Sequence, residues 1–130
     1  MGLPSGQDVA LAMGLRPLSD DQLRVGKATT SMDYKDLPKL NEVHRDFEGK
    51  APLWYYILAE AQHEWFERDG KAGTPVKLGM VGSRIVTETI VGLLFYDSNS
   101  FLRQAPAWNP EIGRKDRFDM AELIKYASET

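Results

Sequence analysis

An all-α fold is what this sequence predicts, and three observations point to it. The apolar residues of its longer segments recur at i, i+3 and i+4. Ser/Asp residues followed three places on by Asp, Gln or Glu open several of those segments, and glycines close them. No Asn-Gly or Asp-Gly pair stands between alternating apolar runs, so the hairpin signal is missing. The expected result is one domain, residues 1–130, of five or six helices around a central buried helix over 78–96. At 130 residues such a chain can bury roughly two thirds of its unfolded surface.

The first helix is announced by Ser5 with Asp8 three residues later, a capping pattern, and by Gly14 as its stop. Ser19 with Gln22 repeats the device before Gly26, which predicts a second short helix after the Pro17 turn. Residues 27–50 are the most polar stretch and read as a variable segment. Within it Leu40, Val43 and Phe47 recur at helical spacing and Gly49 supplies a stop, which predicts one weakly anchored helix.

From Ala51 the pattern strengthens. Pro52 suits a helix start, and Trp54, Ile57, Leu58, Ala61 and Trp65 form one stripe of a helix ending near Gly70. The stretch from Leu78 to Tyr96 is apolar around most of its circumference. Its β-branched residues would also suit a strand, but 19 residues without strict alternation favour a helix. Asp97 and Ser98 end it, and SNSFL reads as a brief helical turn. Residues 103–117 carry Pro106 and Pro110 and read as an ordered loop with Trp108 tucked inward. Asp119 with Glu122 opens a closing helix expected to bury Met120, Leu123, Ile124 and Ala127.

Composition removes several functions. With no cysteine, disulfide frameworks, thiolate metal sites and cysteine nucleophiles are excluded. Sixteen Lys+Arg against 19 Asp+Glu give a net charge of -3, which argues against a nucleic-acid partner. The N-terminus lacks a basic region followed by an apolar run, and Gly6 stands where a myristoylation motif needs Ser or Thr. Arg84 and Glu88 interrupt the most apolar stretch, which argues against a membrane span. A soluble, cytoplasmic chain is the expectation.

Candidate chemistry is sparse. Glu60 and His63 form an E-x-x-H pair, the i, i+3 arrangement with which di-iron bundles present two ligands, but such sites need the motif twice. Glu60, His63, Glu64 and Glu67 read instead as the solvated side of the helix, opposite the tryptophan stripe. His44, beside Arg45 and Asp46, reads as a surface residue. Two histidines cannot make a three-histidine zinc site. Ser83 lies outside any G-x-S-x-G elbow, and Gly79 and Gly82 fit close helix approach better than a phosphate cradle. Arg114, Lys115 and Arg117 around Asp116 suit a solvated connection. No residue is therefore assigned as catalytic, cofactor-binding or metal-ligating. Arg84 and Glu88, spaced i, i+4 in a helix that reads as buried, are the more informative charges. They neutralise each other or a neighbouring helix, or face a second chain or domain that completes the core, since an unpaired buried charge is very costly.

The blocks GLPSGQDVALAMGL, APLWYYILAEAQ, KLGMVGSRIVTETIVGLL with DSNSFL and AWNP, and FDMAELIKYA together resemble the C-terminal part of bacterial proteins of the animal-type haem peroxidase superfamily. They fall in the family's order and leave only residues 27–50 and 103–117 without a counterpart. The resemblance implies a mainly helical fold and, for the complete family domain, a haem used with peroxide to oxidise substrates. The family's distal histidine, catalytic arginine, proximal haem-ligating histidine and supporting asparagine lie upstream of the matching segment. Neither His44 nor His63 falls in a haem motif, so no cofactor is expected in this chain alone. The resemblance thus implies a peroxidase-like portion inactive by itself, joined to an upstream peroxidase-like polypeptide or self-associating through 78–96. The alternative is a non-enzymatic helical interaction or assembly module.

Overall fold

The computed structural model describes residues 2–68, 73, 75, 77–109 and 119–129. Among them every regular element is helical. Bridge-type pairing there is limited to the isolated bridges Ser5–Pro52 and Arg24–Lys39. Contacts cluster into two compact units, Met1–Thr89 and Ile90–Thr130, and the boundary falls inside the longest helix.

In the first unit, α1 (Gly6–Ala12) opens as the sequence predicts. Ser5 Oγ accepts the Asp8 N–H at 3.1 Å, and the Asp8 carboxylate reaches back to Ser5. Such a cap is worth typically about 1 kcal/mol. Gly14, at φ 71°, turns the chain out of the helix. The Ser19–Gln22 device closes only a 3₁₀ turn, Asp20–Gln22, and not a second α-helix.

The polar segment 27–50 is not one helix either. It holds α2 (Ser31–Asp36), α3 (Leu40–Val43) and a 3₁₀ turn, Arg45–Phe47. Leu40 is buried while Val43 is exposed, so the helical spacing read there does not describe one continuous face. Polar groups hold the segment instead. Gln7 Oε1 accepts the Ala51 N–H at 2.9 Å, and Gln62 accepts from the Ala28 N–H and donates to the Gly26 carbonyl, both at 3.2 Å.

The helix α4 (Leu53–His63) crosses α1 where Gly6 lies against Tyr56. A Cβ on Gly6 would stand 2.2 Å from the Tyr56 side chain, so only glycine fits. Tyr56, Leu23 and Val81 are fully buried, with Ala10, Leu40, Ala51 and Ala59 around them. Burying Leu23 or Val81 stabilises the fold by about 1.5–3 kcal/mol each. The expected stripe of α4 is only partly inward. Trp54 and Leu58 are 69% and 59% exposed, whereas Tyr56, Ala59, Glu60, Ala61 and Gln62 are buried. Beyond His63 the chain widens into a π-helical turn, Glu64–Arg68. Its i→i+5 geometry advances the inward phase by a residue. Phe66 rather than Trp65 is therefore fully inward, beside Ala28 and Tyr34 in a second small cluster.

The helix α5 (Met80–Tyr96) lies within the stretch that reads as helical, but it is not a buried central helix. Its buried residues are Val81 and Gly82. Val86, Ile90, Val91, Leu93 and Phe95 are each about half exposed or more, and Tyr96 is 91% exposed. Hydrophobicity all round identifies a helix that wants neighbours, and within the first unit the side chains of its first two turns find them, Val81 in the core and Ile85 packed against it.

In the second unit Ser100 stands at the N-cap position of α6 (Phe101–Gln104) without a side-chain cap bond and is itself buried, its hydroxyl donating to the Leu94 carbonyl. Arg103 lies over the Phe95 ring, 5.4 Å from its centre. Trp108, expected inward, is exposed and meets Phe101 edge-on. The closing helix α7 (Met120–Glu129) starts where Asp119 Oδ1 accepts the Glu122 N–H at 3.1 Å. Met120, Leu123, Ile124 and Ala127, expected to be buried, are all exposed. Arg114, Lys115, Asp116 and Arg117 lie outside the described residues.

Candidate functional site

Three groups of chemistry-bearing side chains can be built up from these elements, all in the first unit. The first is Glu60. It sits on the face of α4 that meets the start of α5, and its carboxylate accepts the Val81 N–H at 3.0 and 3.2 Å and the Gly82 N–H at 3.4 Å. These are N–H groups of a helical first turn, which have no intrahelical acceptor. Gly79 permits the approach, since a Cβ there would stand 2.3 Å from Glu60 Cγ. Gly82 does the same toward Ile57, at 2.7 Å. Burial pushes the Glu60 carboxyl above its ordinary range, against the two backbone donors that pull it down. The residue is 5% exposed, so the expected solvated face is corrected at Glu60, which is inside, like Gln62, because the backbone of α5 and of residues 26–28 needs them; His63 and Glu64 are half-buried, and Glu67 is exposed as expected.

The second group surrounds His63. Its Nε2 lies 3.0 Å from the Gln22 side-chain nitrogen and its Nδ1 3.0 Å from the Tyr34 hydroxyl, which donates to the Gln22 carbonyl at 2.9 Å. Burial holds the imidazole below its ordinary value, more strongly than Glu67 and Glu64 raise it. Burial likewise pushes the Tyr34 hydroxyl up to about 12, with Arg24 pulling the other way. Glu60 and His63 thus face different partners, and the E-x-x-H spacing does not become a ligand pair. Among the described residues no three His, Asp or Glu side chains form a metal site.

The third is the Arg84–Glu88 pair. Arg84 Nε donates to Glu88 Oε1 at 2.6 Å, and Arg84 also donates to the Met13 carbonyl at 2.8 Å, at the C-terminal end of α1. The two side chains are 46% and 62% exposed, so the pair is not a buried one; the helix carrying it leaves that face to solvent. Ser83 donates to the Leu78 carbonyl at 3.0 Å and faces no base.

A mostly apolar groove of about 610 Å³ opens beside Leu3, Pro4, Pro52, Trp54 and Ile57. Its charged lining is Lys50 and Asp8, the latter already used in the Ser5 cap, so the groove offers mainly apolar surface.

Gln22, Tyr34 and Gln62 are the polar residues that sequence pattern does not single out. Gln22 is legible only as the partner of Ser19, and neither Tyr34 nor Gln62 stands in a motif. The resemblance to haem peroxidases would bring haem to the fold, and the donor set does not fit one: His63 has both ring nitrogens engaged and His44 is exposed beside Asp46. Comparison with protein-family models, curated proteins and solved structures finds no match. Among the described residues, no helix is long and apolar enough to cross a membrane.

Proposed function

We propose that the chain is the C-terminal portion of an animal-type haem-peroxidase-like oxidoreductase. It is inactive by itself and works by completing an upstream peroxidase-like polypeptide that brings the haem ligand and the distal acid–base pair. One observation carries the need for a partner. The first unit has a core of its own, whereas no apolar side chain of the second unit is buried among the described residues. Ile90, Leu93, Phe95 and Tyr96 on α5 and Met120, Ile124 and Tyr126 on α7 are half or more exposed. Contiguous apolar surface beyond a few hundred Å² is uncommon on a monomer and marks an interaction site. The order of the sequence blocks, from GLPSGQDVALAMGL to FDMAELIKYA, supplies the identity of the partner class.

The second reading, a non-enzymatic helical assembly module, is favoured by the engaged nitrogens of His63, which keep that residue from serving as an axial ligand. Sedimentation across the micromolar range, with an exposed-surface dye, tests the shared premise. Concentration-dependent association and dye binding are expected. A compact monomer that binds no dye overturns the completion reading and leaves a self-sufficient module. Haemin-loaded chain assayed with peroxide and a dye separates the rest: no turnover is expected. Robust oxidation lost on His63→Ala or His44→Ala would overturn the assignment of the haem ligand to an upstream polypeptide.

A further inference from the structure

The cluster around His63 has no part in the proposed assembly, yet its donors and acceptors can be paired in only one way. The Gln22 carbonyl can only accept, so the single proton of the Tyr34 hydroxyl goes to it, at 2.9 Å. The phenol oxygen then offers only lone pairs to the imidazole, and Nδ1, 3.0 Å away, must donate. A neutral ring protonated at Nδ1 has a bare Nε2, which accepts from the Gln22 amide at 3.0 Å. That amide cannot turn round. Its oxygen takes the Ser19 N–H at 2.9 Å and the Ser19 hydroxyl at 3.2 Å, and a reversed amide would set its NH₂ against the Ser19 N–H. Every member is fixed with the imidazole neutral.

We propose that His63 is an acid-sensitive latch: a proton on Nε2 sets two donors face to face across the Gln22 contact and releases the Ser19–Gln22 turn from α4, while the α1–α4 core stays in place. The core does not hang on the latch because it rests on Gly6 against Tyr56 and on Ala10, Ala59 and Val81, which lie outside the turn. The groups facing the ring are few. Glu64 and Glu67, on its own helical run, favour the proton. From α2 comes Tyr34, while Asp33 on that helix is held by Thr29 and Thr30. From the 3₁₀ turn comes only the uncharged Gln22 amide, since Asp20 accepts the Gly49 N–H and Asp21 pairs with Lys39. Glu60 is taken by Val81 and Gly82, and Arg24 donates to the Leu37 carbonyl. With no anion at Nε2, burial prevails and the ring titrates below its ordinary 6.5. The latch is therefore fully closed above about 6.5 and opens as pH falls from there through the folded-state value.

Imidazole nitrogen and carbon shifts of the full chain, followed through pH, together with amide exchange at Ser19, test this. The Nδ1–H tautomer is expected at neutral pH, with a midpoint below 6.5. Ser19 exchange, corrected for its intrinsic pH dependence, should rise by up to about tenfold for each pH unit between 6.5 and that midpoint and level off below it, while α1 amides stay protected. Gln22→Glu puts an anionic acceptor at Nε2 and keeps one for Ser19. It should move the midpoint up by about a unit or more and abolish the acid-induced exchange. An Nε2–H tautomer, Ser19 exchange indifferent to the His63 titration, or a Gln22→Glu midpoint equal to wild type would each overturn the latch.

Discussion

Glu60 is the side chain whose removal should reveal most about how this fold is held. Glu60→Ala takes the acceptor from the Val81 and Gly82 N–H groups, at 3.0–3.4 Å in a region shut off from water. A buried donor left unsatisfied costs about 1–3 kcal/mol. The vacated Cγ and Cδ also leave space against Gly79. Against this stands the relief of a desolvated carboxylate, whose cost is visible in its raised pKa. The net expected loss is about 2–3 kcal/mol, a large part of a small domain's stability. Glu60→Gln keeps one oxygen for Val81 and removes the ionisation, so it should stay within about 1 kcal/mol of wild type. The sign with pH follows from the raised folded-state value. The charged form is the one the fold disfavours, so the wild type's contribution is full below the ordinary 4.5 and is lost as pH rises through the folded-state pKa. Urea unfolding followed by far-ultraviolet circular dichroism, at pH values on both sides of that window, measures both effects. A Glu60→Ala chain within about 0.5 kcal/mol of wild type would refute the claim that this carboxylate anchors α5.

The geometry fixes further outcomes. Gly6→Ala drives a Cβ to 2.2 Å from Tyr56 and should lose about 1–3 kcal/mol in thermal or urea unfolding. Gly14→Ala meets nothing within 4 Å and should lose about 1 kcal/mol, from its positive φ alone. Glu88→Ala removes one partner of an exposed pair and should cost at most about 0.5 kcal/mol, with Arg84→Ala costing more because the Met13 carbonyl also loses its donor. Ile124→Asp, on an exposed turn of α7, should leave unfolding within about 0.5 kcal/mol while weakening the association expected in sedimentation. Unchanged association would move the proposed surface away from α7.

What sequence pattern can and cannot supply is clearest at α4 and α5. Caps and stops are local physics, so Ser5 with Asp8, Gly14, and Asp119 with Glu122 are where the pattern puts them. Helix type over 53–63 and 80–96 is local too, because 3.6-residue periodicity and length suffice. The inward face is not local. Periodicity measures how much apolar surface a stripe carries, and on α4 it selects Trp54 and Leu58. What decides the matter is which side chains satisfy the backbone of other segments: Glu60 at Val81 and Gly82, and Gln62 at Gly26 and Ala28. Those demands arise only when distant parts of the chain meet, and no spacing rule contains them. The same logic explains why α5 misleads. Its composition describes a helix that needs neighbours all round, and composition cannot say whether those neighbours belong to this chain. Tyr56, Leu23 and Val81 complete a core before Thr89, and Ile90, Leu93 and Tyr96 are exposed; under the proposed function, that apolar excess of α5 is surface for another polypeptide and not core.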